Sequence, residues 1–318
     1  NNLISTELKN LDDPNEARFY TSGRASNEAA FVYQLMVRLF GTNNLPDCSN
    51  MCHESSGIAL TESIGIGKGT VQLDDFEKAD LIFVIGQNPG TNHPRMLSVL
   101  QQAARRGCQF VTFNPILERG LEKFIHPQEA LQMLTGTSSS ISTHYFQPMI
   151  GGDLALLQGL LKAVLAAEEP QKNILDIDFI EHHTSGLLDL REEIVKTDWS
   201  VIESESGLSR TQIEDVASLY CDSQKVIACW AMGLTQQKHA VSTIQHIVNL
   251  LLLRGNIGRP GAGVCPVRGH SNVQGDRTVG ITEHPNESFL KNLDVQFGIS
   301  SPRNSGLNTV QAIQAMES

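Results

Sequence analysis

Five consecutive apolar residues, Leu81-Ile-Phe-Val-Ile85, stop abruptly at Gly86-Gln-Asn-Pro-Gly90. A run this short, with no polar alternation, suits a strand buried on both faces. A helical stretch from about His93 to Arg106 follows, closed by Gly107, so the segment reads as strand, loop, helix. The order recurs. Gln109-Phe-Val-Thr-Phe113 ends at Asn114-Pro115, and Lys225-Val-Ile-Ala-Cys-Trp230 ends at Ala231-Met-Gly233 ahead of a helix from about Lys238 to Leu253, closed by Gly255. Strands alternating with helices of this length build βαβ units, which predicts an α/β fold with a mainly parallel, doubly wound sheet covered on both faces. Ligands in such sheets sit at the carboxyl ends of the strands.

Elsewhere the pattern is helical. Ala17-Arg-Phe-Tyr20 and Thr21-Ser-Gly23 lead into a helix from Asn27 to Phe40, with Ser26 as N-cap and Gly41 as its stop. Between Asp153 and Thr197, Leu154, Leu157, Leu160, Leu161 and Val164 share one helical face, with Asp153 as N-cap after Gly151-Gly152. Ser209-Arg-Thr-Gln212 has the spacing of a capping box and starts a helix to about Tyr220. The chain opens inside a helical pattern (Leu3, Leu8, Leu11) and closes inside another (Val310 to Met316), so flanking sequence is expected.

With 24 Lys+Arg against 35 Asp+Glu the net charge is −11. That argues against a nucleic-acid partner, which calls for a basic patch to neutralise phosphates. No run approaches the roughly 20 apolar residues that span a bilayer, and NNLISTELKN has no signal-peptide core, so a cytoplasmic protein is expected. Six cysteines, Cys48, Cys52, Cys108, Cys221, Cys229 and Cys265, are too sparse for a disulfide framework and match no C-x-x-C pair. Reduced thiols are the expectation.

Three segments bear on chemistry. In Asp47-Cys-Ser-Asn-Met-Cys-His53 a cysteine stands directly before a histidine, which puts a soft ligand or nucleophile beside a proton acceptor. The same pattern also describes a buried structural Cys next to a surface His. Cys48 and Cys52, four apart, can share a helical turn, but no second Cys/His pair at zinc spacing completes a metal site. Cys265-Pro-Val-Arg-Gly-His-Ser-Asn-Val-Gln-Gly275 is rich in donors and lacks periodicity, so it reads as a binding loop. Its Arg268 offers a planar fork for a carboxylate or phosphate, or for an ordinary surface ion pair. Gly65-Ile-Gly-Lys-Gly69 and Gly258-Arg-Pro-Gly-Ala-Gly263 do not lie between a strand and a helix, which disfavours a nicotinamide dehydrogenase.

Taken in order, Cys52-His53, Gly86 through Pro94, Asn114-Pro115, Gly151-Gly-Asp153, Met232-Gly-Leu-Thr-Gln236 and Gly255 through Gly275 resemble the molybdopterin oxidoreductases of the formate dehydrogenase H and YdeP type. Phe19 through Ala30 and Arg268 through Glu283 are most similar to the YdeP branch. The resemblance spans nearly the whole chain and implies a Rossmann-like domain from 48 to 270. Residues 1–47 and 271–318 would belong to an incomplete neighbouring α/β domain. It implies a molybdenum bis(molybdopterin guanine dinucleotide) cofactor contacted by Gly86, Asn88, His93, Asn114, Asp153, Met232, Gly233 and Gln236; Asn114 stands where many relatives have Asp. Cys52 falls where relatives ligate the metal, His53 where a proton acceptor would stand, and Arg268 where an anionic substrate such as formate would be oriented. Electrons would pass to a [4Fe-4S] cluster in an N-terminal region outside this chain and on to an electron-transfer partner. The chain alone is expected to be without either cofactor and inactive. A non-catalytic assembly or regulatory protein that keeps the fold is the alternative.

Overall fold

A computed structural model describes residues 2–168 and 173–317. The chain divides into two compact units, one made of Asn1–Glu54 with His270–Ser318, the other of Ser55–Gly269. Cys48 to Glu54 and His270 thus fall in the first unit, a few residues from the boundaries expected at 48 and 270.

The second unit is built on five parallel strands: β1 Leu81–Ile85, β2 Gln109–Phe113, β3 His144–Phe146, β4 Val226–Trp230 and β5 Gly263–Pro266. Their order across the sheet is β3-β2-β1-β4-β5. β1 lies at the centre, in parallel register with β2 (Leu81 opposite Gln109) and with β4 (Leu81 opposite Val226). That position explains why every residue of Leu81–Ile85 is buried. Successive side chains point to opposite faces, so the five apolar residues feed two cores. Leu81, Phe83 and Ile85, with Val111, Phe113, Ala228 and Trp230, pack against Leu156, Leu157, Leu160 and Leu161 of the helix Asp153–Ala167 and against the helices Arg210–Asp222 and Ala240–Leu252. Ile82, Val84, Phe110, Ile227 and Cys229 pack on the other side against Leu97, Leu100 and Ala103 of the helix Pro94–Arg105. Helices on both faces of a parallel sheet are the doubly wound arrangement expected from the strand and helix pattern.

The caps fall close to expectation. Ser209 and Gln212 form a reciprocal capping box at the start of Arg210–Asp222. Asp153 is the first helical residue, with Gly152 taking the capping position expected of Asp153. The segment Cys265 to Gly275 is not one loop: its start is edge strand β5 and its end begins the helix Val273–Thr278. Pro266 is tolerated there because an edge strand has one side without a ladder to satisfy.

In the first unit, the helix Asn27–Phe40 starts at Ser26, whose side chain accepts from the Ala29 N–H, and stops at Gly41 in the left-handed region. Its Ala30 and Val37 pack with Leu45 and Ile281 in a small core. No helix among the described residues is long and apolar enough to cross a membrane.

Candidate functional site

Nine of the eleven expected site residues lie in the second unit, most of them immediately past the strands. Gly86 follows β1 with φ +55°, and its N–H donates to the Phe113 carbonyl at 2.9 Å. Asn88 caps the short helix Pro89–Asn92, its Oδ1 accepting from the Thr91 N–H at 3.0 Å. Asn114 follows β2; its N–H donates to the Phe146 carbonyl at 3.1 Å and its amide to the Ile116 carbonyl at 3.1 Å. Met232 and Gly233 open the helix Met232–Thr235 after β4, and Gln236 closes it.

Two of these loops touch through glycine. The Gly233 N–H donates to the Gly86 carbonyl at 3.0 Å. A Cβ on Gly233 would lie 2.5 Å from the Gly86 Cα, and one on Gly86 2.8 Å from Leu234 Cδ1. Neither position accepts a side chain without moving backbone, so the sequence needs glycine at both.

Asp153 joins the same edge through a residue the sequence reading did not single out. Its Oδ2 accepts from Gln237 Nε2 at 2.9 Å, and that amide also donates to the Gly233 carbonyl. Burial pushes the Asp153 carboxyl above its ordinary value, and the Gln237 amide pulls it partly back. A carboxylate held out of water is usually paired; here the partner is a neutral amide.

His93, between the helices Pro89–Asn92 and Pro94–Arg105, has Nε2 2.9 Å from the Arg268 carbonyl oxygen. Arg268 follows β5, and its Nη2 donates to the Gly67 carbonyl at 3.3 Å. Among the described residues, the buried polar atoms Gln87 Oε1, His93 Nδ1 and Thr235 Oγ1 near these strand ends have no hydrogen-bond partner. Gln87 and Thr235 fall inside the segments Gly86 through Pro94 and Met232 through Gln236 without being singled out there, and Gln237 lies just past the second. Only the adjacency of Gln87 to Asn88, and of Gln237 to Gln236, hints at them.

Cys52 and His53 belong to the first unit. Cys52 ends the short helix Ser49–Cys52 and His53 caps it, its N–H donating to the Ser49 carbonyl at 3.3 Å. Both are buried, His53 to 1% exposure, so the alternative of a surface histidine beside a structural cysteine does not hold. Cys48 precedes this helix. Its sulfur accepts from the Gly23 N–H at 3.1 Å and lies 3.1 Å from His270 Nδ1. Burial pushes the Cys48 thiol up, opposed by the Gly23 hydrogen bond. Asp47 is ion-paired to Arg277 at 3.2 Å, and Arg277 to Glu283 at 2.8 Å, which anchors this segment inside the first unit. Among the described residues no group of three or more His, Cys, Asp or Glu side chains is placed to hold an ion.

A sequence model of the molybdopterin oxidoreductase family matches residues 1–316. Protein YdeP of Escherichia coli strain K12 is 49% identical over 98% of this chain and 42% of its own length. The uncharacterised oxidoreductase Rv2900c of Mycobacterium tuberculosis is 54% identical over 99% of this chain and 40% of its own. The alpha subunit of F420-dependent formate dehydrogenase 1 of Methanococcus maripaludis is 29% identical over 86% of this chain and 37% of its own. The chain thus spans about two fifths of the length of these relatives. Among solved structures, acetylene hydratase of Pelobacter acetylenicus superposes with a TM-score of 0.64 over 83% of this chain and 33% of its own, at 17% identity, a likeness of fold.

Proposed function

The chain belongs to the molybdopterin oxidoreductase family, and on that footing we propose that the full-length protein is a molybdenum-dependent oxidoreductase of formate dehydrogenase type. It would hold a molybdenum bis(molybdopterin guanine dinucleotide) cofactor and pass electrons to a [4Fe-4S] cluster carried by sequence outside this chain. What carries the reading is the convergence of Gly86, Asn88, Asn114, Gly233 and, through Gln237, Asp153 at the carboxyl edge of one parallel sheet, the edge where such sheets take nucleotides.

The residues fit such a group chemically. The glycine contact of Gly86 and Gly233 brings the loops after β1 and β4 against each other at the strand ends. Asp153, buried and held by neutral donors alone, has lone pairs for the N1–H and N2–H₂ donors of guanine. Gln87 Oε1, His93 Nδ1 and Thr235 Oγ1 are buried polar atoms whose partners a polar ligand would supply. Backbone N–H groups where the loops turn into helices suit a diphosphate.

When bound, the cofactor supplies a two-electron acceptor. The chain's own residues do the rest. Arg268 presents a fixed fork to an anionic substrate such as formate. Cys52 would offer such a metal a soft thiolate, and His53 would take up the proton that substrate oxidation releases. The test is dye-linked formate oxidation by the metal-loaded full-length protein beside its Cys52→Ala, His53→Ala and Arg268→Ala variants. Turnover in the parent with a loss of about a hundredfold or more in each variant is expected. A loaded parent that leaves formate untouched removes formate as the substrate.

A further inference from the structure

One residue short of the carboxyl ends of β4 and β5, two cysteines stand side by side in the sheet. Cys229 of β4 is the direct register partner of Cys265 of β5. Paired residues on adjacent strands point to the same face, with their Cα atoms about 4.8 Å apart, inside the range of roughly 4.4–6.8 Å that a disulfide spans. Both side chains belong to the face of the sheet that packs against Leu97 and Leu100. All six cysteines of the chain are free.

The pair is asymmetric. Cys229 is wholly buried among Ile227, Ile82 and Cys108, whereas Cys265 is half-buried on the edge strand. The neighbouring Cys229 lowers the Cys265 thiol below its ordinary value, and Cys265 together with burial raises Cys229 above its own. Cys265 is therefore the partly exposed member of the pair and the one more readily deprotonated, with a second thiol behind it.

We propose that Cys265 and Cys229 form a hydroperoxide-reactive dithiol, a modification site in which Cys265 is attacked first and Cys229 resolves it. The Cys265 thiolate attacks one peroxide oxygen, and the O–O bond breaks. The departing oxyanion takes a proton and leaves as an alcohol, or as water from hydrogen peroxide. Cys265 becomes a sulfenic acid, oxidised by two electrons, and the peroxide is reduced by two. The Cys229 sulfur then displaces the sulfenic hydroxyl, which departs with the Cys229 proton as water, and an S–S bond joins β4 to β5.

The test is non-reducing peptide mapping of the full chain, first reduced and then treated with stoichiometric hydrogen peroxide. A Cys229–Cys265 linked peptide that dithiothreitol reverses is expected. The Cys229→Ala variant should instead accumulate a sulfenic acid at Cys265, trapped by dimedone, and Cys265→Ser should leave Cys229 unmodified. Cys221, also half-buried but with its thiol raised by burial, is the internal control, and Cys265 should outpace it by about tenfold. Equal rates at Cys221 and Cys265 would overturn the proposal. So would the absence of any adduct at Cys265 in a Cys229→Ala variant whose circular dichroism is native.

Discussion

The imidazole Nε2 of His93 stands 2.9 Å from the carbonyl oxygen of Arg268. A carbonyl only accepts, so the ring donates to it from Nε2. The bond ties the loop after β1 to the loop after β5, and with it the backbone of the one arginine proposed to meet substrate. His93→Leu removes it and is expected to cost about 1–2 kcal/mol in urea unfolding. In the full-length protein, with formate as the proposed substrate, it should raise KM more than it lowers kcat. His93→Gln, whose amide can donate from a similar position, should recover much of both.

Gly233 faces Gly86 backbone to backbone, and a methyl group there has nowhere to go. Gly233→Ala is expected to destabilise by about 1–3 kcal/mol, the range of an overpacked core. Gly107→Ala is the control, because its positive φ is strained but its surroundings are open, and about 1 kcal/mol is expected. Chemical denaturation of both variants separates steric exclusion from backbone strain.

Burial holds the Asp153 carboxyl above its ordinary value near 3.8. The folded chain therefore binds that proton more tightly than the unfolded chain does. The resulting stability is fully present below the unfolded value and is lost as pH rises through the folded one. At neutral pH the ionised carboxylate is a burden on the fold. Asp153→Asn, which can still accept from Gln237, is expected to raise Tm at pH 7, and the gain should shrink as pH falls through the raised pKa. The same variant should weaken binding of a guanine nucleotide. Such a carboxylate fits the guanine-binding role proposed for it.

Arg277 lies between two buried carboxylates, Asp47 and Glu283. Removing the cation leaves both acids buried and unneutralised, and Arg277→Met is expected to cost about 3 kcal/mol or more. Adding Asp47→Asn and Glu283→Gln should recover part of that loss, measured by thermal unfolding.

The central strands were readable because they are central. Leu81–Ile85 and Val226–Trp230 have neighbours on both sides and helices on both faces, which demands continuous apolar sequence. The edge strands escaped notice for the complementary reason. His144–Phe146 is partly exposed, and Gly263–Pro266 is bounded by Gly and Pro, which only an edge tolerates. Asn88 and His93 stand out in the sequence because they follow a strand, where such sheets take ligands, whereas Asn114 stands out only through the family resemblance. The tie between Gln237 and Asp153 does not stand out, because 84 residues separate them and no periodicity links a helix start to a loop across a fold. His53 was left open between a surface and a buried role, since a residue capping a one-turn helix has no flanking pattern to reveal its burial.

The most direct measurement is elemental analysis with pterin extraction on the full-length protein purified anaerobically, beside its Cys52→Ala variant. About one molybdenum and two pterins per chain are expected in the parent, with the metal lost or altered in the variant while the pterin stays. A folded full-length protein that carries neither metal nor pterin would contradict the account and leave the strand-end site as a scaffold for some other ligand.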